Sequence, residues 1–233
     1  MPLPNVSVPK YPITVPSSKK KTVFRPFLMK EQKILFMALE SKDQMQMLNA
    51  MCDIVENCIE GIDDAKTLPL FDLEYLFLKI RSKSVGEVVE ARTKCPQCSK
   101  TNEISINLET VEIDFPKDHS NKVMLSDKMG VILKYPTIKD SMKEIDSLDA
   151  SGMVKYISDS IEMVFDGDMT YSRKDFTTEE IANFVDTLNA QQFEKMAKFY
   201  TNLPQLHKET ENKCLYCGHE YKISFRGLQD FFI

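Results

Sequence analysis

Two Cys-x-x-Cys turns carry the clearest chemistry in this sequence: Cys95-Pro96-Gln97-Cys98 near its middle, and Cys214-Leu215-Tyr216-Cys217-Gly218-His219 close to its end. Four thiolates complete the tetrahedral shell of a structural Zn2+, and the two-residue spacing lets each turn clamp one edge of the metal. The turns lie roughly a hundred residues further apart than in an ordinary zinc ribbon. If Cys95, Cys98, Cys214 and Cys217 share one ion, everything between them is an insertion in a small metal-pinned module. His219 could replace one cysteine, although a full thiolate set leaves it beside the shell. A redox pair would want a strand before its turn and a helix after it. Here strand-like runs follow both turns.

Other reactive constellations are missing. A catalytic zinc keeps an open position and a neighbouring acid or base, but no His-Glu-x-x-His occurs, and His119, His207 and His219 lie far apart. Asp166-Gly167-Asp168 opens like a calcium loop without the later oxygen ligands at the required spacing. Seven glycines leave little material for a phosphate loop. Lys19-Lys20-Lys21 is too short to mark nucleic-acid binding. Cys52 and Cys58 sit in an apolar helical run, as small buried hydrophobes.

The elements that must position the cysteines are legible in the pattern. Strand-like Val88 to Arg92 leads into Cys95, and Ile104, Ile106 and Leu108 alternate with polar residues after Cys98. Tyr221, Ile223 and Phe225 alternate after Cys217. Strand, turn and strand form a hairpin at each site, and the two hairpins are expected to share one sheet with the metal at its tip. Before them, Lys30 to Glu40, a run opened by a Ser41-Lys42-Asp43-Gln44 capping box, and Phe71 to Ile80 after Pro69 read as three helices. The third is apolar nearly all round and should be central. Within the insertion, Val123 to Leu133 reads as a hairpin, followed by helices over roughly 137–148, 153–164, 178–187 and 189–201, with a polar linker from Asp166 to Phe176.

The fold class is therefore α+β: an N-terminal three-helix layer, a small zinc-ribbon-like antiparallel sheet, and a helical insertion between the two Cys-x-x-Cys turns. Residues 1–22 form an extended N-terminal arm, 23–86 a helical domain, 87–122 with 206–233 the zinc-ribbon-like module, and 123–205 the hairpin plus helical insertion. Prolines at 2, 4, 9, 12 and 16 exclude a helix from the arm, and Val6, Val8, Tyr11 and Ile13 give it apolar anchors for a partner. The apolar end, Phe231-Phe232-Ile233, either folds back or plugs a neighbour's groove. With 42% hydrophobic residues the chain can bury a core, and a formal net charge of −5 argues against nonspecific binding to DNA or acidic membranes. Six cysteines at this length suit a reducing compartment. No signal peptide or membrane span is expected, so the chain should be soluble and intracellular where it is made. Of the 13 methionines, Met29, Met37, Met45, Met47 and Met51 concentrate in the first two helices, where they fill a core or form an adaptable partner surface.

Three runs carry a family resemblance. Arg25-Pro26-Phe27-Leu28-Met29-Lys30-Glu31, the long run from Leu68-Pro69-Leu70-Phe71 through Asp72-Leu73-Glu74-Tyr75 to Val85-Gly86-Glu87, and Tyr135-Pro136-Thr137 resemble the T4-type phage baseplate hub and hub-assembly proteins, most densely over about residues 22–110. The resemblance implies a structural or assembly component of the baseplate hub of a contractile-tailed phage. Such a protein is not an enzyme and takes no small-molecule substrate; its partners are other baseplate and hub proteins. It works in the host cytoplasm during assembly or in the virion tail baseplate. Arg25, Arg81 and Lys83 are then candidate charged contacts to a neighbouring subunit. The zinc expectation rests on spacing and owes nothing to the family. The rival reading is a zinc-ribbon nucleic-acid-binding or transcription-accessory protein, with Lys94, Lys100, Lys213 and Lys222 flanking the turns. The acidic balance and the lack of aromatics interleaved with basic residues count against it.

Overall fold

The computed structural model of the chain describes residues 7–143 and 150–231. The chain divides into two compact units, Met1–Asp114 with Gln205–Ile233, and Phe115–Pro204. The class is α+β, with helices beside several small antiparallel sheets.

The first unit opens with a hairpin of β1 (Tyr11–Thr14) and β2 (Lys21–Phe24), followed by helices α1 (Met29–Ser41), α2 (Gln44–Cys58) and α3 (Leu70–Ser84). Helix α3 is the centre: Leu73, Leu76, Phe77, Leu78 and Ile80 are wholly buried, each worth about 1.5–3 kcal/mol of transfer free energy. Asp43 caps α2 by accepting from the Met45 and Gln46 amides, so the helix starts there. The expected Ser41 box does not form; the Ser41 hydroxyl accepts from the Asp43 amide.

The expected N-terminal arm is, over residues 11–24, part of this core. Pro12 sits in β1 opposite Val23, and β1 is an edge strand of a two-stranded sheet, where proline is tolerated. Ile13 and Val15 are buried. The Glu60 amide donates to the Val23 carbonyl (3.1 Å) and the Arg25 amide to the Cys58 carbonyl (2.9 Å). At the hairpin turn, Ser17 donates its amide (3.0 Å) and its hydroxyl to Asp72, a wholly buried carboxylate of α3. Apolar anchors placed there to reach a partner are thus used by the chain itself. Val8 is half-buried, Tyr11 packs on Phe24 with ring centroids 5.6 Å apart, and Val6 lies outside the described residues.

After α3 come β3 (Val88–Lys94), β4 (Thr101–Asn107) and β5 (Glu112–Asp114); after the second unit come β10 (Gln205–Lys213) and β11 (Glu220–Arg226). The two cysteine hairpins do not share a sheet. β3 pairs only with β4, while β10 stands between β11 and β5. The pairing of Gln205 with Asp114 closes the second sheet at the point where the inserted unit leaves and returns. The second compact unit begins at Phe115. The chain then folds back: a 3-10 turn, Leu228–Phe231, buries Phe231 against Phe225 at 5.8 Å. Phe232 and Ile233 lie outside the described residues.

The second unit holds a four-stranded antiparallel sheet ordered β6 (Lys122–Met124), β7 (Met129–Leu133), β8 (Ile161–Asp166) and β9 (Met169–Ser172). Helices α4 (Ile138–Lys143), α5 (Ala150–Asp159), α6 (Thr178–Asp186) and α7 (Ala190–Thr201) complete it. The helix expected over 153–164 ends at Asp159, because Ile161 to Asp166 pairs with β7. The expected polar linker after Asp166 is instead the second strand of a hairpin turning at Gly167. Leu133, Val131, Ile157, Ile161 and Met196 lie at the bottom of one apolar core.

Candidate metal centre

The two cysteine turns fold alike. The Cys95 amide donates to the Lys100 carbonyl (3.0 Å) and the Ser99 amide to the Cys95 carbonyl (2.9 Å). In the second turn Cys214 donates to His219 (2.8 Å) and Gly218 to Cys214 (3.0 Å). The residue after each second cysteine takes a left-handed backbone, φ 58° at Ser99 and 71° at Gly218. Glycine does so freely, and serine at some cost.

These turns bring Cys95, Cys98, Cys214 and Cys217 together, with all four sulfurs within 4.8 Å of one another. The closest approaches run across the hairpins: Cys95 to Cys217 at 3.7 Å and Cys98 to Cys214 at 3.6 Å. A disulfide needs about 2.05 Å. Four sulfurs about 2.3 Å from one zinc form a tetrahedron with edges of about 3.8 Å. These separations suit an ion and not a bond. Cys95 and Cys214 are buried, Cys98 is half-buried and Cys217 is exposed, so the site has a closed floor and one wet edge. No position is left for a reacting ligand in a tetrahedral shell, which is the arrangement of a structural site.

The thiols are driven apart in acidity. Burial pushes Cys214 up, but the Tyr216 and Cys217 amides, the Asn102 side chain and Cys98 outweigh it and bring it down to about 6. At Cys217 the His219 amide pulls down, yet desolvation and the thiols of Cys98, Cys214 and Cys95 push it up to about 12. One thiolate forms readily, and each further negative charge is resisted by its neighbours. A divalent cation removes that resistance, since metal binding exchanges thiol protons for the ion.

Asn102 completes the centre and was not foreseen. Its carbonyl oxygen accepts from the Leu215 amide (3.0 Å), and its NH2 donates to the Lys100 carbonyl (3.1 Å) and the Cys214 sulfur (3.5 Å). It thus fastens one turn to the other. On β4 it shares the inward phase with Ile104 and Ile106, and a lone asparagine in that phase was the available signal. The Lys100 ammonium lies 4.6 Å from the Tyr216 ring centroid, a second tie between the turns. His219 stays outside the cluster, stacked on Tyr221. His207 bonds Ser224 and His119 bonds Tyr135, so the three histidines are in separate places.

The charged candidates are engaged within the chain. Arg25 donates to Glu31 (2.9 Å) and to the Asn57 carbonyl (3.0 Å). Burial pushes the Glu31 carboxyl up, but the Arg25 and Leu28 donors hold it below its ordinary range. Lys83 pairs with Glu87 (2.6 Å) and Glu109 and lies 5.2 Å from the Tyr11 ring. Burial lowers the Arg81 pKa, and Arg81 is half-buried at the base of β3.

Taken together, the chain is a two-unit α+β protein whose sequence-distant hairpins meet at a four-sulfur cluster able to hold a metal. Residues 8–233 match the T4 bacteriophage base plate protein family, and the chain belongs to that family. No match was found among curated proteins or among solved structures. Membership makes it a structural phage baseplate protein, which places it in the virion tail baseplate among phage protein partners. Among the described residues no helix is long and apolar enough to cross a membrane.

Proposed function

We propose that the chain is a non-catalytic component of the baseplate hub that binds other hub proteins, builds into the tail from the host cytoplasm, and carries one structural Zn2+ on Cys95, Cys98, Cys214 and Cys217. Family membership supports the baseplate part, and the sulfur spacing supports the metal. The observation that carries the binding role is the outer side of α1. Met29, Phe36, Met37 and Leu39 are exposed by 63, 71, 52 and 46% in the order Met29, Met37, Phe36, Leu39, and Leu28 before them by 41%. Met29 and Phe36 are seven residues apart and Phe36 and Leu39 three, so they share one side of the helix. An apolar patch of this kind on a soluble body marks a contact surface, and methionine lets it adapt to its partner. Tyr11, Ile13, Arg25, Lys83 and Phe231, the partner contacts read from the sequence, also make contacts within the chain, so the exposed α1 side is the surface proposed first.

The test is complementation of a phage lacking this chain with a Met29→Ser, Phe36→Ser, Met37→Ser variant. Those side chains are exposed, so the melting temperature should hold while co-purification with hub proteins and particle yield fall together. Normal assembly by a folded triple variant would sink the proposed surface.

A further inference from the structure

The second unit contains a cavity of about 230 Å³ whose rim carries Lys122, Lys195 and Lys198. Its floor is the stacked pair His119 and Phe199, with ring centroids 5.2 Å apart. Lys195 and Lys198 stand three apart on α7, with Asn202 a turn further along the same side. Ser120 and Lys122 come from the segment entering β6. Lys195 donates to the Met124 carbonyl (3.2 Å), which fixes its ammonium at the wall and leaves it two protons to give. The Lys122 ammonium lies 4.7 Å from the Phe165 ring centroid.

Among the described residues none of these three lysines forms an ion pair, whereas Lys83, Lys134, Lys213 and Lys222 do. One carboxylate, Asp118, also lines the cavity. Three lysines and one carboxylate among the lining residues give the hollow a positive balance in a chain whose net charge is −5. Like charges gathered in excess of their counter-charges repel, and a concave wall concentrates their field. From this juxtaposition we infer that the cavity binds a compact oxyanion, a phosphate or carboxylate group. Lys195 and Lys198 supply the charge, and Ser120 and Asn202 supply neutral hydrogen bonds. The group is either free phosphate or an acidic side chain offered by a neighbouring protein. The inference is independent of the zinc and hub proposals.

The test is an amide-resolved NMR titration of the full chain with inorganic phosphate, and separately with a hexaglutamate peptide. Saturable shifts should appear at residues 118–124 and 195–202 with at least one ligand. They should weaken as salt rises from roughly 0.01 to 0.15 M, over which the Debye length falls from about 30 to 8 Å. Phosphate alone producing them identifies a free anion; the peptide binding more tightly identifies a neighbour's acidic segment. Lys195→Gln with Lys198→Gln should weaken binding by about tenfold or more, or about 1.4 kcal/mol, and Lys33→Gln, at an exposed α1 position that does not line the cavity, should not. Lys198→Gln alone, whose side chain makes no hydrogen bond or ion pair among the described residues, gives the same reading if the double variant folds poorly. No saturable shift at these residues with either ligand, or equal binding by the lysine variants, overturns the inference.

Discussion

The two units solve the same problem differently. Phe115–Pro204 closes a four-stranded sheet over a continuous apolar core, with Val131, Leu133 and Ile157 fully buried. The cysteine end of the other unit has two narrow hairpins in separate sheets, and its outer ends carry charged and polar residues, with Arg92–Glu103 and Lys213–Glu220 pairs largely exposed. Exposed pairs contribute about 0–1 kcal/mol each, and an isolated two-stranded hairpin is marginal in water. Burial holds one unit; at the hairpin tips of the other, four sulfurs must do what burial cannot. A metal is therefore expected to be a folding ligand there and irrelevant to the inserted unit.

The sharpest way to break this contrast is to remove the metal. Chelation, or Cys98→Ser, should forfeit binding free energy on the order of 10 kcal/mol. Hydrogen exchange should then accelerate in β3, β4, β10 and β11 while the amides of β7 and β8 keep their protection. Uniform loss of protection in both units would show that the metal's influence is not confined to the hairpins. Leu133→Ala is the converse experiment. It should destabilise the inserted unit by about 2–5 kcal/mol through a core cavity and leave the metal content unchanged; thermal melts read the first and elemental analysis the second.

The helical side of the first unit offers a smaller lever through Glu74. Burial pushes its carboxyl up to about 7, against one opposing donor, the Leu228 amide at 3.4 Å. The folded chain thus holds this proton more tightly than the unfolded chain, where the ordinary value is 4.5. Stability from this group is greatest at acidic pH and is lost as pH rises through the window from about 4.5 to about 7. Glu74→Gln should stabilise the unit by about 1–3 kcal/mol at pH 8, with the difference shrinking toward pH 5. A pH-independent difference between the two proteins would contradict that account. Asn102→Ala should have the smallest effect on folding but weaken metal affinity by about 10–100-fold, measured by competition with a chromophoric chelator. Unchanged affinity would reduce Asn102 to a packing residue.

The sequence carried much of this because its signals were local. Helical spacing and Pro69 marked α3, and the two-residue cysteine spacing marked both turns. What escaped it depends on long-range pairing. β10 takes β5 as its second neighbour in place of the β3–β4 hairpin, and the three residues of β5, Glu112–Asp114, are too short to show a period. The N-terminal segment reads as an arm because prolines and alternating apolar residues fit both an extended arm and a docked hairpin. The buried Asp72 that receives Ser17 is a contact between residues 55 apart. Ile161 to Val164 reads as the end of the helix over 153–164 because a short apolar run has no distinctive period of its own. Exposure of the α1 side and the contacts of Arg25 and Lys83 within the chain are likewise properties of packing, which local spacing does not carry.

The central claim is that one ion joins the two hairpins through sulfur alone. X-ray absorption at the zinc edge of the purified protein tests it directly. The account predicts one zinc per chain with four sulfur neighbours at about 2.3 Å. A first shell containing nitrogen or oxygen, or a folded chain with protected hairpins and no metal, would contradict it.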